Sequence, residues 1–200
     1  MRISVKIIGI TGGVGSGKST VLDIIEKNYN AYIIKADDVA KETYEPGMSG
    51  YKRIIEIFGN EILDADNRID LKKLSNIVFK SPNKRIVLNS IIHPLVKKII
   101  VEKIADLKIE DKYDYVFIEA ALLIEDHYEV FCDELWYVYA DETCRRERLR
   151  NSRGYTDEKI DDILKSQLSE AEFKNACSVV INNSGDKDET YTQLVKLLKK

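Results

Sequence analysis

From Val5 to Ile10 the chain reads VKIIGI, an apolar run broken only by Lys6. Short β-branched runs of this kind fit a strand buried on both faces of a parallel sheet. Four further segments have the same character: AYII (Ala31 to Ile34), YVFIE (Tyr115 to Glu119), LWYVY (Leu135 to Tyr139) and SVVI (Ser178 to Ile181). Between them, apolar residues recur at three- and four-residue steps, the period of a helix buried along one stripe. Val21, Leu22, Ile24 and Ile25 form one such stripe, and DLKKLSNIVF and KRIVLNSIIHPLVKKIIVEKIADL repeat the pattern over longer spans. Pro94 is expected to kink or restart the second of these. Strand alternating with helix predicts an α/β fold with a mostly parallel sheet flanked by helices. The helical stretch 47–111 then reads as an insertion between the second and third strands. It leaves 1–46 and 112–200 as the core, with the helices around 142–174 forming a second wall.

Composition narrows the class. Two hundred residues suffice for a substantial core. With 31 Lys and Arg against 34 Asp and Glu, the net charge of −3 gives no global basic field, so no nucleic-acid partner is expected. Cys132, Cys144 and Cys177 lack CxxC spacing, which favours reduced thiols and a cytoplasmic protein over a disulfide frame or zinc site. No apolar run approaches the roughly 18 residues of a membrane span, so no membrane partner is expected. Neither an internal repeat nor a Pro-, Gly- or Ser-rich linker divides the chain, and a monomer or weak homo-oligomer is expected.

The chemistry begins at GITGGVGSGKST, where Gly12, four residues, Gly17, Lys18 and Ser19 satisfy GxxxxGK[ST] between a predicted strand and a predicted helix. Glycine lets the loop turn its N–H groups inward without Cβ clashes, and the helix N-terminus adds partial positive charge where phosphate oxygens would sit. A P-loop NTPase fold and a nucleoside triphosphate follow. Residues Gly13, Val14, Gly15, Ser16, Gly17, Lys18, Ser19 and Thr20 are its candidate contacts, with Lys18 toward the β- and γ-phosphates and the Ser19 hydroxyl toward Mg2+. The guanine-specifying NKxD and the switch motif DxxG are both missing, which argues against a GTPase. A kinase further needs a carboxylate near the acceptor hydroxyl and arginines over the triphosphate. Asp37 and Asp38 stand just after the second strand, at the sheet end that faces the ligand crevice in such folds, and one of them reads equally well as an N-cap. Arg145, Arg146, Arg148, Arg150 and Arg153 make the most cationic local stretch. It is either a solvated helix face paired with Glu142, Glu147 and Asp157 or a lid over the phosphates.

GITGGVGSGKST, ADDVAKETYEPG, HPLV, ALLIE, RRERLRNSRGYT with Gln167, and VVINNSG follow one another as in the dephospho-coenzyme A kinases, which the chain resembles from Lys6 to Gly185. The resemblance implies ATP-dependent phosphorylation of the ribose 3′-hydroxyl of dephospho-CoA, the final step of CoA biosynthesis. It also implies a helical, acceptor-binding insertion and a lid, with MgATP and dephospho-CoA as the small molecules bound. On the family's DxD pattern the catalytic base matches Asp37, while the first aspartate is Lys35 here, so a role needing both carboxylates does not carry over. The lid arginine matches Arg148 and a second arginine Arg153, with one extra residue between them. Asn183 to Gly185 resembles the loop beside the adenine, which adds Asn183 to the nucleotide contacts. Lys97 and Ala121 replace an arginine and a proline. His93 has two readings, shaping the acceptor site or serving structure. Glu125 either positions the acceptor or stabilises a helix, Glu119 could assist magnesium through water, and His127 reads as an ordinary surface residue. Trp136 and the tyrosines of LWYVY read as core.

Overall fold

The computed structural model describes residues 5–199. The chain divides into two compact units, one made of the residues up to Ile34 together with those from Leu107 onward, the other running from Lys35 to Asp106. The outermost residues of the expected core, 1–4 and 200, lie outside the described residues.

The first unit is built on five strands, β1 (Lys6–Thr11), β2 (Ala31–Lys35), β3 (Tyr115–Glu119), β4 (Glu134–Tyr139) and β5 (Val179–Asn182), in the order β2-β3-β1-β4-β5. β1 pairs in parallel with β3 and β4, and β4 with β5. A central parallel strand has both faces covered, and Ile7, Ile8 and Ile10 are accordingly fully buried. Helix α1 (Lys18–Asn28) lays Val21, Leu22 and Ile25 on one face of the sheet against Ile8, Ile10, Phe117, Trp136 and Val138. Phe117 and Trp136 meet edge to face at 5.4 Å. Tyr137 points to the opposite face, as the two-residue period of a strand requires. There Phe173 stacks on it at 4.7 Å.

Lys6, the polar residue inside the first apolar run, has a local explanation. Its ammonium reaches Glu134 Oε1 at 2.6 Å, and the other carboxylate oxygen accepts the indole N–H of Trp136 at 2.8 Å. One carboxylate thus joins the first strand to the fourth and satisfies the polar end of an indole that is 1% exposed.

The second unit is helical: α2 (Ala36–Thr43), α3 (Ser49–Phe58), α4 (Leu71–Lys80) and the greater part of α5 (Pro82–Glu110). The expected restart at Pro94 does not occur, since α5 is a single helix of 29 residues with Pro94 inside it. Proline removes one N–H and one ladder bond, but the apolar stripe on either side, including Ile91, Ile92, Val96 and Ile100, is buried. Packing of that stripe outweighs the missing bond. The capping expectation for Asp37 or Asp38 is also corrected. Lys35 occupies the N-cap position of α2 with no side-chain cap, and both aspartates lie in the first turn. Their negative charge suits the positive end of the helix dipole.

The Glu134 link predicts a pH dependence of stability. Burial alone would raise this carboxyl, but the hydrogen bonds from Lys6 and Trp136 overrule it and the net effect is a value below the ordinary 4.5. A depressed carboxylate contributes stability that is fully present above 4.5 and is lost as pH falls through the folded-state value. Glu134→Gln should therefore melt below the parent at about pH 7, with the two curves converging as pH falls below 4.5 and through the folded-state value. Thermal melts across that range check this, and a Tm difference independent of pH would show that the carboxylate's charge is not what matters.

Candidate active site

A loop that gathers its N–H groups around an anion turns its carbonyls outward, and each outward carbonyl needs a donor if it is shielded from water. Between Thr11 at the end of β1 and Lys18 at the start of α1, that demand is met at every residue. The Gly12 carbonyl accepts from Lys18 Nζ at 2.7 Å, Gly13 from the Ser16 N–H at 3.1 Å, and Val14 from Arg145 Nε at 3.0 Å. Gly15 accepts a longer bond from Arg148 Nη1 at 3.4 Å, and Ser16 accepts from Arg148 Nη1 at 3.2 Å and Asn183 Nδ2 at 2.7 Å. Gly17 accepts from the Val21 N–H at 3.2 Å.

The N–H groups divide in alternation. Val14 donates to Gln167 Oε1 at 3.2 Å and Ser16 to Gly13, whereas those of Gly13, Gly15, Gly17 and Ser19 make no hydrogen bond among the described residues. These N–H groups are open to an anion at the head of α1, where the helix dipole adds to them. The glycines at the two ends of the loop are required by space as well as by conformation. Gly12 (φ 151°) has the Val138 carbonyl where a Cβ would be, and Gly17 (φ 88°) has the Asn183 amide there. The Oγ atoms of Thr11 and Ser16 are buried beside the loop without a hydrogen-bond partner among the described residues.

The arginine-rich stretch is helix α6 (Glu142–Arg153), begun by the Asp141 side chain, which accepts the Cys144 N–H. Its arginines separate by helical face. Arg145 and Arg148, three residues apart and on the same side of α6 as buried Leu149, point to the phosphate loop. Arg146 and Arg150, four apart, point to α7 (Asp157–Lys165), where they pair with Asp161 and Asp157, each at 2.6 Å. Arg153 lies over the ring of Tyr155. The stretch thus divides by face, with Arg146 and Arg150 paired to carboxylates and Arg145 and Arg148 turned to the phosphate loop. Neither Arg145 nor Arg148 forms an ion pair among the described residues, so two guanidinium charges stand at the loop on neutral acceptors. Burial, partly opposed by nearby Tyr137 and Glu142, holds the Arg145 pKa below the ordinary arginine value.

Asn183 follows β5 and is 3% exposed. Its amide donates to Ser16 O, its side-chain oxygen accepts from Thr190 Oγ1 at 2.9 Å, and its carbonyl accepts from Arg148 Nη2 at 2.7 Å. Val14, Ser16 and Asn183, all expected among the nucleotide contacts, thus have these groups engaged within the protein, where they hold the loop's shape. Arg145 and Gln167 belong to the same network. The sequence marked both without giving either a role, and the signal available was the three-residue spacing from Arg145 to Arg148.

Lys18, Ser19, Thr20, Arg148 and Asn183 are all brought together with the loop in the first unit. Asp37 belongs to the second, in the first turn of α2. Within that turn, Asp38 pairs with Lys41 at 2.7 Å, while Asp37 makes no hydrogen bond or ion pair among the described residues of the unit. His127 is exposed, with its ring 3.0 Å from Glu129. Glu125 is exposed, whereas His93 and Glu119 are half-buried. Trp136 and Tyr137 are core residues. Among the described residues no group of carboxylate, histidine or thiol side chains forms a metal cluster, and no helix is long and apolar enough to cross a membrane.

Comparison with known proteins agrees with this arrangement. The family described as dephospho-CoA kinase matches residues 6–189. The dephospho-CoA kinase of Oceanobacillus iheyensis is 37% identical over 195 residues, covering 97% of this chain and 96% of its own, and that of Carboxydothermus hydrogenoformans is 38% identical over 194 residues, covering 97% and 93%. A crystal structure from Thermus thermophilus superposes with a TM-score of 0.78 at 27% identity, covering 98% of this chain and 96% of its own. With a phosphate loop whose every carbonyl is held and relatives matched across nearly their whole length, the chain belongs to the dephospho-CoA kinase family.

Proposed function

We propose that this protein transfers the γ-phosphoryl group of ATP to the ribose 3′-hydroxyl of dephospho-CoA, giving coenzyme A and ADP. The observation that carries this reading is the phosphate loop, with its glycine N–H groups and two unpaired guanidinium charges, in a chain of this family. The acceptor oxygen attacks the γ-phosphorus, the bond to the β-phosphate oxygen breaks, and the hydroxyl proton passes to a carboxylate. Lys18 and the N–H groups of Gly13, Gly15, Gly17 and Ser19 stabilise the phosphate charge that develops. Arg148 serves as the lid arginine and Asp37 as the base. The helical insertion carries the acceptor, the segment 142–174 acts as the lid, and unpaired Cys132, Cys144 and Cys177 suit a reducing cytoplasm.

Magnesium fits the residues present. It takes hard oxygen ligands and keeps several waters, and the Ser19 hydroxyl in the exposed first turn of α1 supplies one such oxygen. When bound, the ion neutralises charge on the phosphate oxygens.

A coupled ADP-release assay with MgATP across dephospho-CoA, AMP, CMP, shikimate, gluconate and no acceptor tests the reaction. Stimulation by dephospho-CoA alone is expected, and hydrolysis indifferent to acceptor would refute it. Lys18→Ala should abolish transfer even at saturating acceptor.

Arg148→Ala should lower kcat/KM for MgATP by about 10² or more, since an arginine on a transferring phosphoryl group is worth about 10³ to 10⁵. Arg150→Ala should stay within about twofold, because Arg150 is an exposed residue paired with Asp157. Equal losses in the two variants would favour a diffuse patch over a specific contact.

The neighbouring aspartates separate more sharply. Asp37→Asn keeps the shape but cannot take the proton, and should cut kcat by roughly 10² or more. Asp38→Asn loses only an exposed pair with Lys41, which solvent screens, and should remain within a few-fold in rate. Measuring kcat and acceptor KM of both variants, with melts to confirm folding, decides it. A dead Asp38→Asn beside an active Asp37→Asn would move the base by one residue.

A further inference from the structure

We propose that Arg145 is a positioning residue for the phosphate loop, acting through Val14 and Gln167, and that it makes ATP affinity depend on the turn between α7 and α8 (Glu170–Ala176). The geometry is a closed ring of hydrogen bonds. Val14 donates its N–H to Gln167 Oε1 at 3.2 Å, that oxygen also accepts Arg145 Nη2 at 2.6 Å, and Arg145 Nε returns to the Val14 carbonyl at 3.0 Å. Both polar groups of Val14 are therefore held from outside the loop, by a helix and by a turn about 130 to 150 residues away in sequence.

The position held is the one where holding matters. Val14 stands between Gly13 and Gly15, which have no side chains to restrict them, and Gly15 lies at φ 84°. Rotation of the Val14 peptide would turn a carbonyl toward the anion and carry the neighbouring glycine N–H groups out of line. Gly13 is also required for the clamp, because a Cβ there would occupy the place of the Arg145 guanidinium. Lysine could not replace Arg145, since a single ammonium lacks the planar fork that reaches two acceptors at once. Arg148, by contrast, binds Gly15, Ser16 and Asn183 and does not touch Gln167. The α7–α8 turn thus reaches the loop through Arg145 and Gln167.

This inference rests on the kinase reading for its steady-state test but not for its binding test. Arg145→Ala, Arg145→Lys, Gln167→Leu and the double variant Arg145→Ala/Gln167→Leu would be compared with the parent. ATP affinity would be measured by calorimetry without acceptor, KM for ATP and for dephospho-CoA by ADP release, and folding by thermal melts. Each single variant, Arg145→Lys included, should weaken ATP binding by about tenfold or more, as expected when a group is displaced from its working geometry. KM for dephospho-CoA should stay within about twofold. The double variant should lose little more than either single one, because all three residues form one network. Parent-like ATP affinity in Arg145→Lys would show that only the charge counts and would overturn the proposal, as would additive losses or an acceptor KM that rises with that for ATP. If the parent fails to phosphorylate dephospho-CoA, the kinase reading falls while the calorimetric comparison still decides the role of Arg145.

Discussion

A phosphate-binding loop has to show its N–H groups to the ligand and hide its carbonyls, and hidden carbonyls need donors. Much of the first unit answers this requirement. Residues 12–17 present six carbonyls, and the donors come from the loop itself, the head of α1, the arginine face of α6 and the residue after β5. A parallel sheet suits the task because the ends of β1, β4 and β5 deliver these donors side by side. Val138 of β4 closes against Gly12, and Asn183 follows β5 directly.

The same arrangement separates two kinds of positive charge. Arg146 and Arg150 are paired with Asp161 and Asp157 and fasten α6 to α7, whereas Arg145 and Arg148 are held by carbonyl and amide oxygens, with no carboxylate in direct contact among the described residues. Neutral acceptors fix a guanidinium without cancelling its field. Beside an anion site that choice of partner matters more than the number of arginines, since a carboxylate at the same distance would offset the attraction the site depends on.

Much of the fold was legible because it follows from hydrophobic patterning. Each of the five apolar runs is a strand, and the stripe of Val21, Leu22 and Ile25 packs as its period requires. Of the two outcomes expected at Pro94, the restart does not occur, because a local rule about one hydrogen bond competes with the burial of a long stripe and the helix continues through it. The capping role considered for Asp37 and Asp38 failed for a different reason: α2 begins at Ala36, two residues before the start that an Asp37 cap would give and three before that of an Asp38 cap. The loop's glycines and Lys18 could be read from spacing alone. The division of labour among five arginines could not, because identical side chains take their roles from the face of the helix they occupy and from partners such as Gln167 and Asp161. Asn183 lay beyond local reasoning for the same reason, its two amide ends being used by residues before and after it in the chain.

The central place of β1 also shapes how the protein is made. Its sheet partners are β3 and β4, which begin at Tyr115 and Glu134, so at 5–20 residues per second an apolar strand waits roughly 5 to 20 s for its first neighbour. During that interval the chain from Lys35 to Asp106 emerges, a unit of helices that forms through local contacts. The loop after β1 is completed later still, since Arg148 and Asn183 must arrive before its carbonyls are held. Nucleotide therefore cannot rescue a partly synthesised chain. It rewards only one whose fifth strand is already in place, and the burden of keeping Ile7, Ile8 and Ile10 from other partners until then falls on the nascent chain and whatever shields it.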